Sequence, residues 1–421
     1  MKMQFPYGKT HLDYDFEEVN VLTSAAEEYD PKLSGQELVE AAMAASEGSV
    51  TLRELARGKN RVVLIASDHT RPVPSKVILP PMLRQIREGN PDADITILIA
   101  TGCHRGTTKE ELVSKFGEQI VENEKIVIHD CDDRENLVNI GTLPSGGPCL
   151  INRLAVEADL LLAEGFIEPH FFAGFSGGRK SVLPGIAARE TVLANHCSEF
   201  IAHPKARTGI LEGNPIHADM LWAARKVNLQ YIVNVVLNGS KQVIYAVAGD
   251  LEAAHKKGTD FLTGLCGVET KPADIVISTN GGYPLDQNVY QAVKGMTAAE
   301  AAVKKNGVII MLARSNDGIG GNDFFHQIAD ERDIQKTMEL FLSRGRKETV
   351  PDQWQAQIFI RVLQKARVIF VSQMPPALVD AMHMIPALNL DDAMEKAEKL
   401  VGKNPTITAI PDGVAVMVKG V

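Results

Sequence analysis

The sequence predicts an α/β protein with two domains, in which largely parallel sheets are flanked by helices and the active site lies in the cleft between the domains. Short apolar runs rich in Val and Ile alternate with amphipathic stretches of helical period, a pattern typical of parallel strands joined by helices. The length of 421 residues favours two domains, because a single hydrophobic core rarely serves so long a chain.

The predicted strands are the apolar runs at 61–66, 95–100, 125–128, 158–163, 231–237, 273–278, 307–312 and 368–372. Predicted helices include 107–122, 220–227 and 390–400. A junction near 267–271 divides the chain into a first domain of residues 1–268 and a second of residues 272–397. Residues 406–419 are typical of two strands joined by a Pro-Asp-Gly turn and can return to either domain. Residues 398–421 are assigned to the first domain.

The composition argues against several classes of protein. The formal net charge of −9 disfavours nucleic acid or an anionic membrane surface as the main partner. No apolar run approaches the roughly 20 residues that span a bilayer, and the N-terminus lacks the apolar core of a signal peptide. Five widely spaced cysteines form neither a disulfide framework nor a CxxC zinc site. We therefore expect a soluble cytoplasmic protein.

Polar and glycine-rich segments follow four of the predicted strands. Two strands run into Ser-Asp-His-Thr-Arg-Pro at 67–72 and Thr-Gly-Cys-His-Arg-Gly at 101–106. A long loop at 164–185 follows a third strand, and Asn-Gly-Gly-Tyr-Pro at 280–284 follows a fourth. Ligands of open α/β sheets bind beyond the carboxyl ends of the strands, so these four segments locate a binding site.

The glycine-rich part of the long loop is the strongest local signal. Three glycines precede Arg179 and Lys180, and such a segment can bring backbone N–H groups and positive charge to a phosphate. Its spacing does not match a P-loop. Lys180 suits a phosphate contact or a covalent bond to a cofactor or carbonyl. A glycine-rich turn with solvated cations is the alternative.

Three histidines are candidates for chemistry. His104 and His170 each lie on a loop after a predicted strand, and two histidines on facing loops can form a general acid/base pair near neutral pH. His196 has no His or Cys companion at metal-ligand spacing, so a metal bound there needs its other donors from a non-protein ligand. For each histidine alone, an ordinary structural role is the alternative.

Two further clusters carry polar groups at useful spacing. Asp68, His69, Thr70 and Arg71 can bind a ribose and phosphate, or Arg71 can hold a carboxylate through its planar fork. A capped turn before a helix is the alternative. Gln291 and Lys294 lie three residues apart, so on a helix they share one face and can both contact a small anion. An exposed helix start is the plainer explanation of this second pair.

These segments together resemble the lactate racemases that use a nickel-pincer nucleotide. The matching pieces are SDHTRPVPS at 67–75, TGCHR at 101–105, EGFIEPHFFAGFSGGRKSVLPGIA at 164–187, ANHCSEF at 194–200, STNGGYPLDQNVYQAVKGMTAAEA at 278–301 and PDQWQAQIF at 351–359. They extend over nearly the full length of the chain, in the order and with the spacing of the family. The resemblance implies an isomerase, a racemase of 2-hydroxy acids.

The resemblance also implies a cofactor and assigns roles to the candidate residues. The cofactor is nickel in a nickel-pincer nucleotide, a derivative of pyridinium-3,5-bisthiocarboxylic acid mononucleotide attached covalently at Lys180. The implied roles are cofactor binding for Asp68, His69, Thr70, Arg71, Lys180 and His196, nickel ligation for His196, acid/base catalysis for His104 and His170, and substrate binding for Arg71, Gln291 and Lys294. The first domain thus carries the cofactor site, and the second contributes substrate-binding residues.

The implied reaction interconverts D- and L-lactate by proton-coupled hydride transfer to and from this cofactor, with pyruvate as the intermediate. The implied partners are a small 2-hydroxy acid substrate and the cofactor-synthesis proteins that mature the enzyme. One departure is Pro169, because the family residue before the loop histidine is variable and often Ser. Pro restricts the local backbone, so the preferred substrate can differ.

Two other functions stay open at this point. A racemase or epimerase of malate, phenyllactate or an aldonate with the same cofactor would carry identical cofactor motifs. A nucleotide- or nickel-binding protein without turnover is the second alternative. The joint presence of His104, His170, Gln291 and Lys294 argues against it, since storage of a cofactor needs no acid/base pair.

Overall fold

The structure is a computed structural model that describes residues 1–420, and it contains two compact units. The N-terminal unit comprises Ala25–His196 and Lys205–Leu265. The C-terminal unit comprises Met1–Ser24, Cys197–Pro204 and the chain from Cys266 onward. The chain therefore passes from one unit to the other four times.

The strands are β1 (Lys2–Tyr7), β2 (Thr10–Asp15), β3 (Asn20–Val21), β4 (Arg61–Ser67), β5 (Asp94–Ala100), β6 (Lys125–Ile128), β7 (Leu137–Thr142), β8 (Pro148–Asn152), β9 (Leu160–Phe166), β10 (Pro169–His170), β11 (Gly174–Phe175), β12 (Leu229–Leu237), β13 (Val243–Gly249), β14 (Gly267–Thr270), β15 (Ala273–Thr279), β16 (Val303–Leu312), β17 (Arg367–Val371), β18 (Ile385–Ala387), β19 (Ile407–Ile410) and β20 (Met417–Gly420). The helices are α1 (Gly35–Ala44), α2 (Leu52–Leu55), α3 (Ser75–Gly89), α4 (Lys109–Phe116), α5 (Glu118–Asn123), α6 (Arg153–Val156), α7 (Arg189–Asn195), α8 (Ser198–Ala202), α9 (Pro215–Lys226), α10 (Ala253–Cys266), α11 (Val289–Ala302), α12 (Asn322–Ala329), α13 (Ile334–Ser343), α14 (Gln353–Lys365), α15 (Pro376–Ala381) and α16 (Leu390–Val401).

The N-terminal unit is built on a six-stranded sheet in the order β13-β12-β9-β4-β5-β6. All neighbours in this sheet are parallel except β12 and β13. Every residue of β9 is buried, because helices cover both faces of a parallel sheet and leave its central strands no solvent-exposed side. Apolar side chains of β4, β5, β9, β12 and helix α3 form one core cluster.

The C-terminal unit has a second six-stranded sheet, in the order β18-β17-β16-β15-β19-β3, in which all pairs are parallel. Its core consists mainly of Ile, Val and Leu side chains from β15, β16 and β17 that pack against α16. The predicted fold class, mixed α/β with largely parallel sheets flanked by helices, is confirmed. Within residues 1–420, no helix combines the length and the apolar composition that crossing a bilayer requires.

Each of the eight predicted strands is present, with ends that differ by a few residues. The predicted helix at 107–122 is divided into α4 and α5, because Gly117 between them adopts a φ of 88° that a helix cannot contain. Strand β13 was not predicted. It lies at the edge of its sheet and pairs antiparallel with β12. The residues of β13 alone do not indicate which strand it pairs with.

The chain termini require a correction. The strand pair predicted at 406–419 does not form, because β19 pairs with β15 and β20 pairs with β14, both in parallel. Residues 398–420 lie in the C-terminal unit, not in the first domain as assigned from the sequence. Met1–Ser24 also lies there, since β3 adds to β19 at the sheet edge. The physical reason is that the apolar strand β19 fills a position between β15 and β3 in the second sheet.

A buried cation holds the glycine-rich loop of the N-terminal unit in place. Arg179 is 1% exposed and donates from Nη2 to the carbonyl of Ala173 at 2.7 Å. Its Nη1 donates to the carbonyls of Ser176 at 3.3 Å and Gly177 at 3.2 Å, and Nε donates to Nδ1 of His217 at 3.0 Å. One guanidinium thus ties three loop carbonyls to helix α9.

Two histidines, the half-buried His217 and the buried His255, stay neutral beside this cation. His255 Nε2 donates to the Ser176 carbonyl at 2.8 Å. Burial, reinforced by the positive charge of Arg179, lowers the pKa of His217 and of His255 to about 3. Burial also lowers the pKa of Arg179 to about 9, which leaves the guanidinium charged at pH 7.

We expect the free energy of unfolding to fall as the pH decreases from about 6.5 to 5. His217 and His255 stay neutral in the folded state, whereas the same side chains in the unfolded chain take up protons near pH 6.5. The unfolded state therefore binds more protons below pH 6.5, and each of these histidines contributes a slope of about 1.4 kcal/mol per pH unit. Urea unfolding at several pH values measures the slope.

The control uses two substitutions. His255→Gln should reduce the pH slope by roughly the share of one histidine. His11→Gln, at an exposed position, should leave the slope unchanged. The interpretation fails if the wild-type protein and His255→Gln lose stability at the same rate between pH 6.5 and 5.

Candidate active site

Parallel pairing brings Asp68 and His104 together in the N-terminal unit. The register of β4 and β5 pairs Ser67 with Ala100, so the loops that follow the two strands begin at the same level. Oδ2 of Asp68 lies 2.8 Å from Nδ1 of His104. The Asp68 side chain is 1% exposed, whereas that of His104 is 43% exposed. A buried carboxylate thus orients a histidine whose ring reaches solvent.

The hydrogen bonds define the protonation state of this pair. Burial raises the pKa of Asp68, but hydrogen bonds from His104 and Thr70 outweigh it, and the pKa of the carboxyl lies below its usual value. Thr70 Oγ1 donates to Asp68 Oδ1 at 2.7 Å. An ionised carboxylate can only accept, so Nδ1 of His104 carries the proton. Nε2 of the neutral ring is then an acceptor, as a general base requires.

The other residues of this loop lie in different surroundings. His69 Nδ1 is 3.1 Å from Thr107 Oγ1 and 3.6 Å from a Glu111 carboxylate oxygen, at the start of α4. The side chain of Arg71 is exposed. Of the four residues predicted in this segment, the structure places Asp68 and Thr70 in hydrogen-bonding contact with His104 and turns the His69 ring toward α4.

The glycine-rich loop is shaped by close packing. Gly174 and Gly177 have φ values of 77° and 76°, a region in which residues with a Cβ are strained. A Cβ at Gly174 would lie 2.4 Å from the Ile210 carbonyl oxygen. The N–H of Gly178 donates to Asn234 Oδ1 at 2.8 Å, so this donor is committed to the protein and does not support the predicted phosphate cradle.

One buried aromatic ring connects three of the predicted residues. The ring centroid of Phe172 lies 4.5 Å from that of His170 and 5.1 Å from that of His196, both at steep angles. Nζ of Lys180 lies 5.7 Å from the same centroid and 3.4 Å from Nε2 of His170. His170, Lys180 and His196 therefore surround Phe172. Sequence reasoning missed Phe172, and its only signal was a position two residues after His170.

His170 has a hydrogen-bond donor near each ring nitrogen. The N–H of Ala173 lies 3.3 Å from Nδ1, and Nζ of Lys180 lies 3.4 Å from Nε2. A lysine ammonium can only donate, so both nitrogens of His170 face donors. His104 presents an acceptor at Nε2, as a general base does, and His170 lies beside the Lys180 amine.

His196 has the form that a metal ligand requires. Its Nδ1 lies 3.0 Å from the carbonyl oxygen of Val192, so Nδ1 carries the proton and donates it. Burial, and then the positive charge of Lys180, lowers the pKa of His196 to about 3. In the neutral ring Nε2 carries no proton and is the nitrogen able to ligate a metal, while the other ring nitrogen is held by a backbone carbonyl, as is usual for ligating histidines.

Gln291 and Lys294 lie on α11 of the C-terminal unit, one turn apart. Asn288 caps this helix by accepting from the N–H of Gln291 at 2.9 Å. Oε1 of Gln291 is buried and has no hydrogen-bond partner within residues 1–420. Asn280, from the predicted loop after β15, donates to the Gln291 carbonyl at 2.6 Å and so fixes the start of α11.

Models of two protein-family domains match most of the chain. The model of the lactate racemase N-terminal domain matches residues 7–209, and that of the C-terminal domain matches residues 268–418. The chain is 53% identical to a lactate racemase of Thermoanaerobacterium thermosaccharolyticum and 55% identical to one of Lactiplantibacillus plantarum. Each alignment covers 99% of both chains.

Solved structures extend the comparison. The structure of the lactate racemase apoprotein from T. thermosaccharolyticum matches with a TM-score of 0.96 at 53% identity, covering 100% of both chains. A protein from Thermotoga maritima matches with a TM-score of 0.65 at 20% identity over 93% of this chain, a likeness of fold alone. The chain belongs to the lactate racemase family and is an isomerase of the racemase class.

Proposed function

We propose that this chain interconverts D- and L-lactate. The observation that carries the proposal is the Asp68–His104 pair, in which the carboxylate holds the proton on Nδ1 and leaves Nε2 of His104 as an acceptor, together with a second histidine, His170, beside the Lys180 amine. Inversion at a carbon bearing a hydroxyl requires one group to take a proton from oxygen and one to give a proton back. The two relatives that bear the name lactate racemase support lactate as the substrate.

The proposed cofactor is nickel in a nickel-pincer nucleotide attached covalently at Lys180. The neutral, buried His196 fits a single protein ligand to nickel, since its tautomer keeps the proton off Nε2. Lys180 has its amine beside His170 and over the ring of Phe172, next to an acid/base group. When bound, this cofactor supplies an acceptor and donor of the hydride on the substrate Cα. Asp68, His69, Thr70 and Arg71 are the proposed cofactor-holding residues.

The chain's own residues move the protons. His104 takes the hydroxyl proton at Nε2, and the Asp68 carboxylate stabilises the resulting imidazolium through Nδ1. With the Cα hydride taken up by the bound cofactor, the substrate would be pyruvate, a planar molecule whose two enantiotopic faces lead to the two lactates. His170 would donate a proton to the carbonyl oxygen when the hydride is restored to the face opposite the one it left. Arg71, Gln291 and Lys294 are proposed to bind the substrate, with the two cations pairing its carboxylate.

Two measurements on the cofactor-loaded enzyme test this proposal. A panel of chiral lactate, malate, phenyllactate and aldonates, assayed for loss of optical purity, should show the highest turnover with lactate. Lactate deuterated at Cα should keep most of its deuterium after a single turnover in ordinary water. Loss of the deuterium to solvent would contradict hydride transfer and indicate a carbanion mechanism. Turnover of another acid but not of lactate would contradict lactate as the substrate.

Replacing Lys180 should abolish the covalent cofactor. We expect protein made together with the cofactor-synthesis proteins to carry an adduct on the order of several hundred daltons, the size of a modified mononucleotide. Intact mass spectrometry should find it in the wild-type protein and not in Lys180→Ala. Lys226→Ala, an exposed lysine on α9, is the control and should keep the adduct. An adduct retained by Lys180→Ala assigns the attachment to another residue.

Replacing His196 should remove the metal and leave the nucleotide. His196→Ala deletes the Nε2 lone pair, so nickel measured by elemental analysis should fall well below one atom per chain. The adduct on Lys180 should persist in the mass spectrum. His11→Ala is the control for the loss of a histidine. Unchanged nickel content and an unchanged absorption spectrum in His196→Ala would contradict its role as a ligand.

The acid/base pair gives a further prediction. His104→Gln and His170→Gln should each lower kcat by about 10²–10⁴-fold in both directions, the usual contribution of a positioned acid or base. Asp68→Asn should also lower kcat strongly, because an amide no longer imposes a proton on Nδ1 of His104. Nickel content serves as the control and should match the wild type. A kcat within a factor of three in either histidine variant would contradict the assignment.

A further inference from the structure

Glu164 is a buried carboxyl group that the proposed reaction does not use. It lies at the end of β9 with 1% of its surface exposed. Oε1 accepts a hydrogen bond from Ser75 Oγ at 2.7 Å and another from the Ser67 N–H at 3.2 Å. Ser67 and Ser75 are the two ends of the loop that carries Asp68, so one oxygen atom holds both ends of this loop.

The middle of the same loop is held by a second side chain. Nζ of Lys115, on α4, donates to the carbonyls of Arg71 at 3.0 Å and Val73 at 3.4 Å. Burial raises the pKa of Glu164, and the charge of Lys115 offsets part of that effect. Lys115 and Glu164 thus contact different parts of the loop and together restrain its backbone between β4 and α3.

Burying a carboxyl at this position is costly. The preceding residues of β9 are apolar, and Oε2 of Glu164 is buried without a hydrogen-bond partner in the described part of the chain. A buried polar atom that lacks a partner is destabilising, whereas an apolar side chain would pack in the sheet without that penalty. The hydrogen bonds that Oε1 accepts from Ser67 and Ser75 offset part of this cost, and both donors belong to the ends of the loop that carries Asp68.

We propose that Glu164 is a positioning residue for the Asp68–His104 pair: by accepting from Ser67 and Ser75 it fixes the ends of the loop and thereby the Asp68 carboxylate. The inference rests on the acid/base role of His104 in the proposed function. Asp68 follows Ser67 directly, and its 2.8 Å hydrogen bond to His104 weakens steeply with any shift. A misplacement of about 1 Å in a catalytic group can cost on the order of 10²-fold in rate.

The experiment compares four variants of the full chain. Glu164→Ala removes the acceptor. Glu164→Gln keeps an acceptor oxygen and the shape of the side chain. Ser75→Ala removes one donor without changing the carboxyl group. Tyr231→Phe is the matched control. It removes another hydrogen bond of this unit, the 2.6 Å contact of Tyr231 with Ser46, and both residues are distant from the loop in sequence.

Two readouts are measured for each variant. Hydrogen exchange of the amides at 67–75 is followed in protein made without the cofactor. Steady-state kcat and KM for lactate are measured in the loaded enzyme. Glu164→Ala should exchange faster in the loop and lose about 10–100-fold in kcat with KM changed less than threefold. Ser75→Ala should show a smaller change in the same direction, and Glu164→Gln should recover most of the loss. Tyr231→Phe should alter thermal stability alone.

The outcomes separate this inference from the proposed function. Absence of lactate turnover in the loaded wild-type enzyme would overturn the proposed function, while the exchange data would still test the restraint of the loop. Wild-type exchange and kcat in Ser75→Ala and in folded Glu164→Ala would overturn the positioning role. Equal losses in Glu164→Gln and Glu164→Ala would also overturn it, since the acceptor oxygen alone would then not restore the loop. If Glu164→Ala does not fold, hydrogen exchange and kcat in Ser75→Ala and Glu164→Gln test the positioning role instead.

Discussion

The in-register parallel pairing of β4 with β5 is the constraint on which the site depends. Because Ser67 pairs with Ala100, the next residues of both strands leave the sheet side by side, and Asp68 comes within 2.8 Å of His104. A slip of one residue would turn every side chain of one strand to the opposite face and separate the pair. Both faces of β4 and β5 are apolar, so it is the close packing of their individual side chains, and not an alternation of apolar and polar residues, that holds this register. Packing of the core thus fixes the relative position of Asp68 and His104.

Burial strongly affects which ionisable side chains near the site are charged. His196, His217 and His255 stay neutral because their surroundings do not solvate an imidazolium, and their pKa values fall to about 3. Asp68 is also buried, yet its hydrogen bonds from His104 and Thr70 keep the pKa of the carboxyl below its usual value. Glu164 accepts from Ser75 and Ser67, but its burial outweighs these hydrogen bonds and raises the pKa of the carboxyl. Two buried carboxyl groups near one loop therefore have pKa values shifted in opposite directions, because burial and hydrogen bonding compete at each and a different one prevails.

The sequence predicted those features that depend on local pattern. The eight strands were visible as apolar runs, and Asp68, His104 and His170 were visible because polar residues after such runs lie at the carboxyl edge of a sheet. The pairing of β20 with β14, the contacts of Phe172 and the two hydrogen bonds of Glu164 join residues distant in the chain or depend on side-chain rotamers. The glycines of the long loop are a second example of what the sequence alone does not show. Their presence indicated a special backbone, but only the contact of Gly178 with Asn234 shows that the loop packs inward.

The glycine-rich loop carries local positive charge that the negative net charge of the chain does not reveal. The chain as a whole carries a formal charge of −9, but Arg179 is buried without an acidic partner in the described part of the chain, where its donors meet only carbonyls and a neutral imidazole. A positive charge that lacks a counter-ion is destabilising in a medium of low polarity, and an anion nearby relieves that cost. Lys180 follows directly and adds a second cationic side chain to the same loop. The loop therefore concentrates positive charge at one place on a chain whose net charge is negative. The neutrality of His217 and His255 belongs to the same arrangement, because protonated rings at these positions would repel the Arg179 guanidinium.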